Sequence, residues 1–243
     1  MIDYTERLWN GKKAIDFKFE GMDATLIFPE NPREDKCWLF KTEYLDAFPD
    51  FELEMINRGY YDANIKNEMR WYLETDTERQ ARFAKYLGEE FGLNKKCMTV
   101  GMSCGGMQAV YLAAKHPELV AVMYMDAPVL NLLSCPCGIG GAENDMYDEF
   151  KAATGKDITD LINYRNHPID MADKIIENRI PTFLVCGDSD TVVPYNENGY
   201  YLAKKYKKTD IPFKKVIKSG CNHHPHGLED PALLIEFAEK YYR

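Results

Sequence analysis

No stretch of the chain approaches the roughly 20 consecutive apolar residues that a bilayer span requires. The polar opening Met1-Ile2-Asp3-Tyr4-Thr5-Glu6-Arg7 has no apolar core of signal-peptide length either. A soluble, cytoplasmic protein is therefore expected. Basic residues are also in short supply, with 30 Lys and Arg against 39 Asp and Glu and a net charge of -9. A surface of that sign repels phosphate backbones and anionic lipid, so neither nucleic acid nor a membrane is expected as a partner. Cysteines number only seven, an odd count. Cys37, Cys97, Cys104 and Cys186 fall in or beside apolar strand-like runs, which suits reduced, buried thiols better than a disulfide framework. Repeats, linkers and low-complexity tracts are missing. What remains is 45% hydrophobic and 28% charged over 243 residues, enough to bury the core of a single α/β domain spanning residues 1–243.

The pattern along the chain is strand, then helix, repeated. Two alternating runs, Ala14 to Phe19 and Ala24 to Phe28 with Gly21 between them, predict a half-buried hairpin. The short apolar run Cys37-Trp38-Leu39-Phe40 precedes a helical stretch from Phe51 to Arg58 closed by Gly59. Tyr60 to Asn64 reads as a strand. Thr75 and Glu78 have capping-box spacing for a helix that carries Phe83, Tyr86, Leu87 and Phe91 on one face and ends at Gly92. A strand to Val100, a helix to His116 and a strand from Val120 to Met125 follow. The rhythm returns with strand Thr182 to Cys186, a helix from about Asn196 to Tyr206, strand Phe213 to Ile217 and a helix from Ala232 to Tyr242. Strands separated by helices imply parallel pairing with helices on both faces. Between residues 131 and 179 the rhythm breaks into loop and short helices, which predicts a small lid above the carboxyl edge of the sheet.

One segment carries chemistry in its context. Gly101-Met102-Ser103-Cys104-Gly105 places a serine between glycines, after an apolar strand and before a helix. Such a nucleophile elbow needs small residues because the turn is strained and the hydroxyl must clear the sheet. A serine hydroxyl is weakly nucleophilic at neutral pH, so a base and a group that orients the base are required. Asp190 lies just past a strand end in Gly187-Asp188-Ser189-Asp190 and is the expected acid, while Asp188 is read as bonding turn amides. Asp126, after the strand ending at Met125, is the alternative acid. Of five histidines, three crowd into Cys221-Asn222-His223-His224-Pro225-His226-Gly227 after the last strand. His223 stands nearest the strand end and is the expected base, with His226 and His224 as alternatives. His116 and His167 are read as structural. No zinc-type Cys/His spacing accompanies the cluster, so no metal is expected, and Cys135-Pro136-Cys137 is not read as a redox pair. The backbone amide of Cys104 is the first expected oxyanion donor and that of Lys41 the second. The Cys104 side chain is read as packing.

With the serine, acid and histidine motifs in this order, the chain resembles the α/β-hydrolase superfamily over nearly its whole length. More narrowly, Trp38-Leu39-Phe40-Lys41-Thr42-Glu43-Tyr44, Asp126-Ala127-Pro128-Val129 with Ser134-Cys135-Pro136, Val193-Pro194-Tyr195-Asn196-Glu197-Asn198 and His223-His224-Pro225-His226 look like bacterial serine esterases of carbohydrate type. The resemblance implies a mostly parallel, eight-stranded sheet and serine ester hydrolysis without cofactor or metal; with a lid that is short and mostly polar, small acyl, aryl or carbohydrate esters are the expected substrates. It carries over Ser103, Asp190 and a histidine of the 223–226 loop. The sequence departs from the group at Cys104, where an arginine is usual, and at Cys135, where tryptophan commonly precedes the proline. A small-molecule ester is the expected partner, with a homo-oligomer left open. A peptidase or thioesterase on the same triad, and a receptor of this fold without turnover, are the competing readings.

Overall fold

In the computed structural model, residues 3–242 are described. The chain starts with three antiparallel strands, β1 (Tyr4–Trp9), β2 (Lys12–Phe19) and β3 (Met22–Ile27). Their turns are Asn10-Gly11 and Glu20-Gly21, with all four residues at positive φ. Two consecutive left-handed residues match the right-handed twist of a hairpin, which is why Asn-Gly is so favoured there. From β4 (Trp38–Lys41) onward the chain alternates: α1 (Asp50–Asn57), β5 (Tyr61–Ile65), α2 (Glu74–Phe91), β6 (Cys97–Met102), α3 (Cys104–Lys115) and β7 (Val120–Asp126). After α4 (Tyr147–Thr154), α5 (Ile158–Ile162) and α6 (Ala172–Glu177) come β8 (Thr182–Gly187), α7 (Gly199–Tyr206), β9 (Phe213–Lys218) and α8 (Ala232–Tyr241).

The nine strands form one sheet in the order β1-β2-β3-β5-β4-β6-β7-β8-β9. The six strands from β5 to β9 in that order run parallel. This corrects the expected eight strands: β1 is the addition, announced by the Asn10-Gly11 turn. Two further expectations change locally. Helix α2 begins at Glu74 with Leu73 as its N-cap and no side-chain cap, so Thr75 and Glu78 do not form a capping box. The helix expected from Asn196 starts at Gly199, after a 3₁₀ turn over Tyr195–Glu197.

Alternation along the central strands fills both faces of the sheet. In β7, Met123 and Met125 belong to the apolar cluster formed with α2, α3, α6 and α7, whereas Val122 and Tyr124 belong to the one formed with α1 and α8. Each such fully buried side chain contributes roughly 1.5–3 kcal/mol over an exposed one. The sheet is thus clamped from both sides, and its carboxyl edge becomes a stiff rim. All the parallel strands end on that rim, where open α/β sheets bind ligands. The segment between β7 and β8 holds α4, α5 and α6 and is pinned to α7: the amides of Leu130 and Asn131 each donate to Asn198 Oδ1 at 2.9 Å. Among the described residues no helix is long and apolar enough to cross a membrane.

Candidate active site

Ser103 sits between β6 and α3 at φ 53° and ψ -118°, a region that a residue bearing a Cβ occupies only under constraint. The constraint is visible in the backbone. Ser103 N–H donates to the Asp126 carbonyl at 2.9 Å, and the Ser103 carbonyl accepts from Gly106 and Val129, each at 3.0 Å. The flanking glycines are sterically required. A Cβ on Gly101 would lie 2.6 Å from the Gly105 carbonyl oxygen, and one on Gly106 would lie 2.4 Å from Pro128. The serine hydroxyl is therefore lifted to the rim, partly exposed.

The base and acid arrive from the neighbouring strand ends. The loop after β9 crosses directly over the end of β8, where a Cβ on Gly187 would come 2.1 Å from the Cys221 carbonyl oxygen. Asp188 holds this turn, accepting from the Gly220 amide at 2.7 Å. Asn222 ties the two loops together, its Oδ1 accepting from the amides of His223 (2.7 Å) and Thr191 (3.0 Å). Asp190 Oδ1 accepts from the amides of Val192 (2.9 Å) and Val193 (2.8 Å), which fixes the carboxylate. Its Oδ2 lies 2.9 Å from His223 Nδ1, and His223 Nε2 lies 3.1 Å from Ser103 Oγ. A carboxylate only accepts, so Nδ1 carries the proton and Nε2 presents its lone pair to the hydroxyl. His223 and Asp190 are both 6% exposed, so this chain runs through a largely water-free layer.

The two alternatives, Asp126 and His226, meet each other instead. His226 Nδ1 is 2.8 Å from Asp126 Oδ1, and Asp126 Oδ2 accepts from the Gly227 amide at 2.7 Å and from Tyr124 Oη at 3.2 Å. The His226 ring centroid stands 4.8 Å from that of His223. His224 is exposed and stacks on Phe48, with centroids 5.6 Å apart. Partial burial, then the neighbouring His226 and His223, hold its imidazole below the usual value. Ligand atoms of the three imidazoles all lie within 4.8 Å of one another, the one grouping among the described residues with metal-binding potential. His167 bonds the Leu132 amide and the Leu161 carbonyl, and His116 pairs with Glu78, so both serve the scaffold.

Cys104 is the first residue of α3, where the N–H groups lack partners within the helix and point out of its end. Its side chain is 1% exposed, and burial pushes the thiol up to about 12. Lys41 is less well placed than expected. It lies inside β4, in ladder register with Val100. Its ammonium group is sealed in an ion pair with Glu52, both side chains being at most 1% exposed. The next amide, Thr42, is occupied by the Val100 carbonyl at 3.1 Å. Thr42 Oγ1 donates to the Gly105 carbonyl at 2.7 Å, and the following Glu43 amide nitrogen would be 3.5 Å from a Cβ on Gly105. The Glu43 carboxyl, held by Asn67 Nδ2 at 2.7 Å, is shifted upward by burial. Sequence reasoning missed Asn222, Glu43 and Arg70. Arg70 forks onto Glu149 (Nε–Oε1 2.7 Å) and lies over Trp71, which joins the β5–α2 loop to α4. Only Asn222 had a local signal, its place between Cys221 and His223.

A serine at a strained strand-to-helix turn, backed by an imidazole and a buried carboxylate on one sheet edge, defines an α/β hydrolase with a Ser–His–Asp constellation. The chain belongs to the prolyl oligopeptidase family, whose model matches residues 64–242. No curated protein matches it. Among solved structures it resembles a puromycin-hydrolyzing peptidase of Mycobacterium tuberculosis, with TM-score 0.72, 13% identity and 99% of this chain covered. It also resembles the acylaminoacyl peptidase of Pyrococcus horikoshii, with TM-score 0.71, 16% identity and 98% covered. The chain spans only 39% and 42% of those two proteins. An S-formylglutathione hydrolase from Agrobacterium tumefaciens matches with TM-score 0.63 and 13% identity, over 90% of this chain and 91% of that one.

Proposed function

We propose that the chain is a serine hydrolase that cleaves small carboxylic esters through an acyl-enzyme. The observation that carries this reading is the continuous relay from Ser103 Oγ through His223 to Asp190, with steps of 3.1 and 2.9 Å. Ser103 Oγ attacks the ester carbonyl as its proton passes to His223 Nε2. The carbonyl oxygen becomes an oxyanion, received by the Cys104 amide, with the Glu43 amide as the proposed second donor in place of Lys41. Collapse breaks the bond to the alcohol, and the imidazolium protonates that leaving group. Water, deprotonated by the same nitrogen, then attacks the acyl carbonyl and releases the acid and Ser103. Asp190 keeps Nδ1 protonated and stabilises the imidazolium throughout.

A small acyl substrate rather than a peptide is supported by the S-formylglutathione hydrolase, named for a small thioester, which matches this chain over nearly the full length of both. Membership in the prolyl oligopeptidase family supports amide cleavage as the second reading. Matched nitrophenyl esters and aminoacyl nitroanilides separate the two. The ester reading expects turnover of short acyl esters that falls by about 10⁴ or more in Ser103→Ala. Higher kcat/KM on the anilides would replace it with the peptidase reading, and unchanged ester turnover in Ser103→Ala would remove Ser103 from the mechanism.

A further inference from the structure

We propose that His223, His224 and His226 form an inhibitory zinc(II) site that closes the active site by capturing its base. The inhibitory half rests on the function proposed above, whereas the binding half stands on the cluster alone. Three imidazoles converge at the rim with all ligand atoms within 4.8 Å of one another and ring centroids 4.8–4.9 Å apart. Two of them already have the outer support that metal-binding histidines use. His223 and His226 each face a carboxylate at Nδ1, from Asp190 and Asp126, at 2.9 and 2.8 Å. Such a partner sets the ring orientation and tautomer and leaves Nε2 as the electron-pair donor.

The third ligand is the adjustable one. His224 is exposed and stacked on Phe48, while the same phenyl ring meets His226 edge-on at 5.3 Å. Zn–N bonds of about 2.0–2.1 Å in tetrahedral geometry put the nitrogens about 3.3 Å apart, so the cluster contracts on binding. A turn of the exposed His224 and a small swing of His223 away from Ser103 supply that contraction. Water completes the fourth position. Imidazole donors suit zinc, and the absence of a carboxylate among the three proposed ligands disfavours magnesium and calcium. Once the His223 Nε2 lone pair is on the metal it cannot accept the Ser103 proton, and the nucleophile loses its base.

The test is calorimetric titration of zinc chloride into the chelator-stripped full chain, with magnesium chloride as the comparison. One zinc per chain is expected, with binding weakened about tenfold or more by His224→Ala and about 10–100-fold by Asp126→Asn. Ser103→Ala should bind zinc as wild type does, so the binding arm reads the site even in a chain without turnover. Circular dichroism of His224→Ala checks that this exposed substitution leaves the fold in place. No saturable zinc binding, equal affinity for magnesium, or undiminished binding in His224→Ala would overturn the site. Loss of binding in Cys221→Ala with His224→Ala unaffected would overturn it as well. Zinc that binds without slowing nitrophenyl ester hydrolysis would overturn the inhibitory half while leaving the proposed hydrolase intact.

Discussion

The loop after β9 supplies the histidines of two histidine–carboxylate pairs of nearly the same build, and only one of the pairs meets a nucleophile. In both, a buried Asp accepts from Nδ1 at 2.8–2.9 Å and from backbone amides. The pairs differ in what stands at Nε2. For His223 it is Ser103 Oγ at 3.1 Å; His226 instead has Phe48 and the other two imidazoles around its ring. An imidazole oriented by a carboxylate is thus not sufficient for this chemistry, and placement against the elbow decides which pair works. The second pair fastens the loop to the end of β7, since Asp126 also accepts from Gly227 and Tyr124.

Substituting the two acids breaks the comparison most sharply. Asp190→Asn keeps the shape but favours the wrong tautomer of His223, and kcat should fall by about 10⁴ with little change in KM. Asp126→Asn should lower kcat far less, while weakening a buried, charge-assisted contact by about 1.5–3 kcal/mol. Ester kinetics and urea midpoints on the two variants measure both numbers. Equal losses of kcat in the two would mean that the second pair also takes part in turnover.

A third buried carboxylate sharpens the contrast with a smaller effect. Asp62 has no imidazole, and both its oxygens are buried without a hydrogen-bond partner. Burial first, then the Glu52 charge, push its carboxyl well above 3.8. In the window between 3.8 and that raised value the native state keeps a proton the unfolded chain has lost. Stability from this group is therefore full below the window and declines as pH rises through it. Wild type should lose stability relative to Asp62→Asn as pH rises from about 4 toward neutrality, read from paired denaturation curves. A pH-independent difference would mean that Asp62 titrates alike in both states.

Much of this was legible because the demands are local. The elbow shows in Gly101 and Gly105 around Ser103, the acid in a turn past a strand end, and the base in the histidines crowded after the last strand; all three leave their mark within a few residues. The Asn10-Gly11 turn carried an equally local signal for β1. The pairing of Asp126 with His226 was different. They are 100 residues apart, and each was readable only as an alternative acid or base until the strand order brought β7 beneath the last loop. Lys41 shows the same limit. Its position after an apolar run suggested a free amide at the site, but the ladder extends through it and burial commits its ammonium to Glu52. The Thr75–Glu78 capping spacing was overridden by a helix that starts one residue before Thr75.

Labelling by a fluorophosphonate probe across wild type, His223→Ala and His226→Ala tests the central claim most directly. Stoichiometric modification of Ser103 in wild type and in His226→Ala, with modification lost in His223→Ala, is the predicted outcome. Rapid labelling of His223→Ala together with an unreactive, folded His226→Ala would contradict the account and hand the role of base to the other pair.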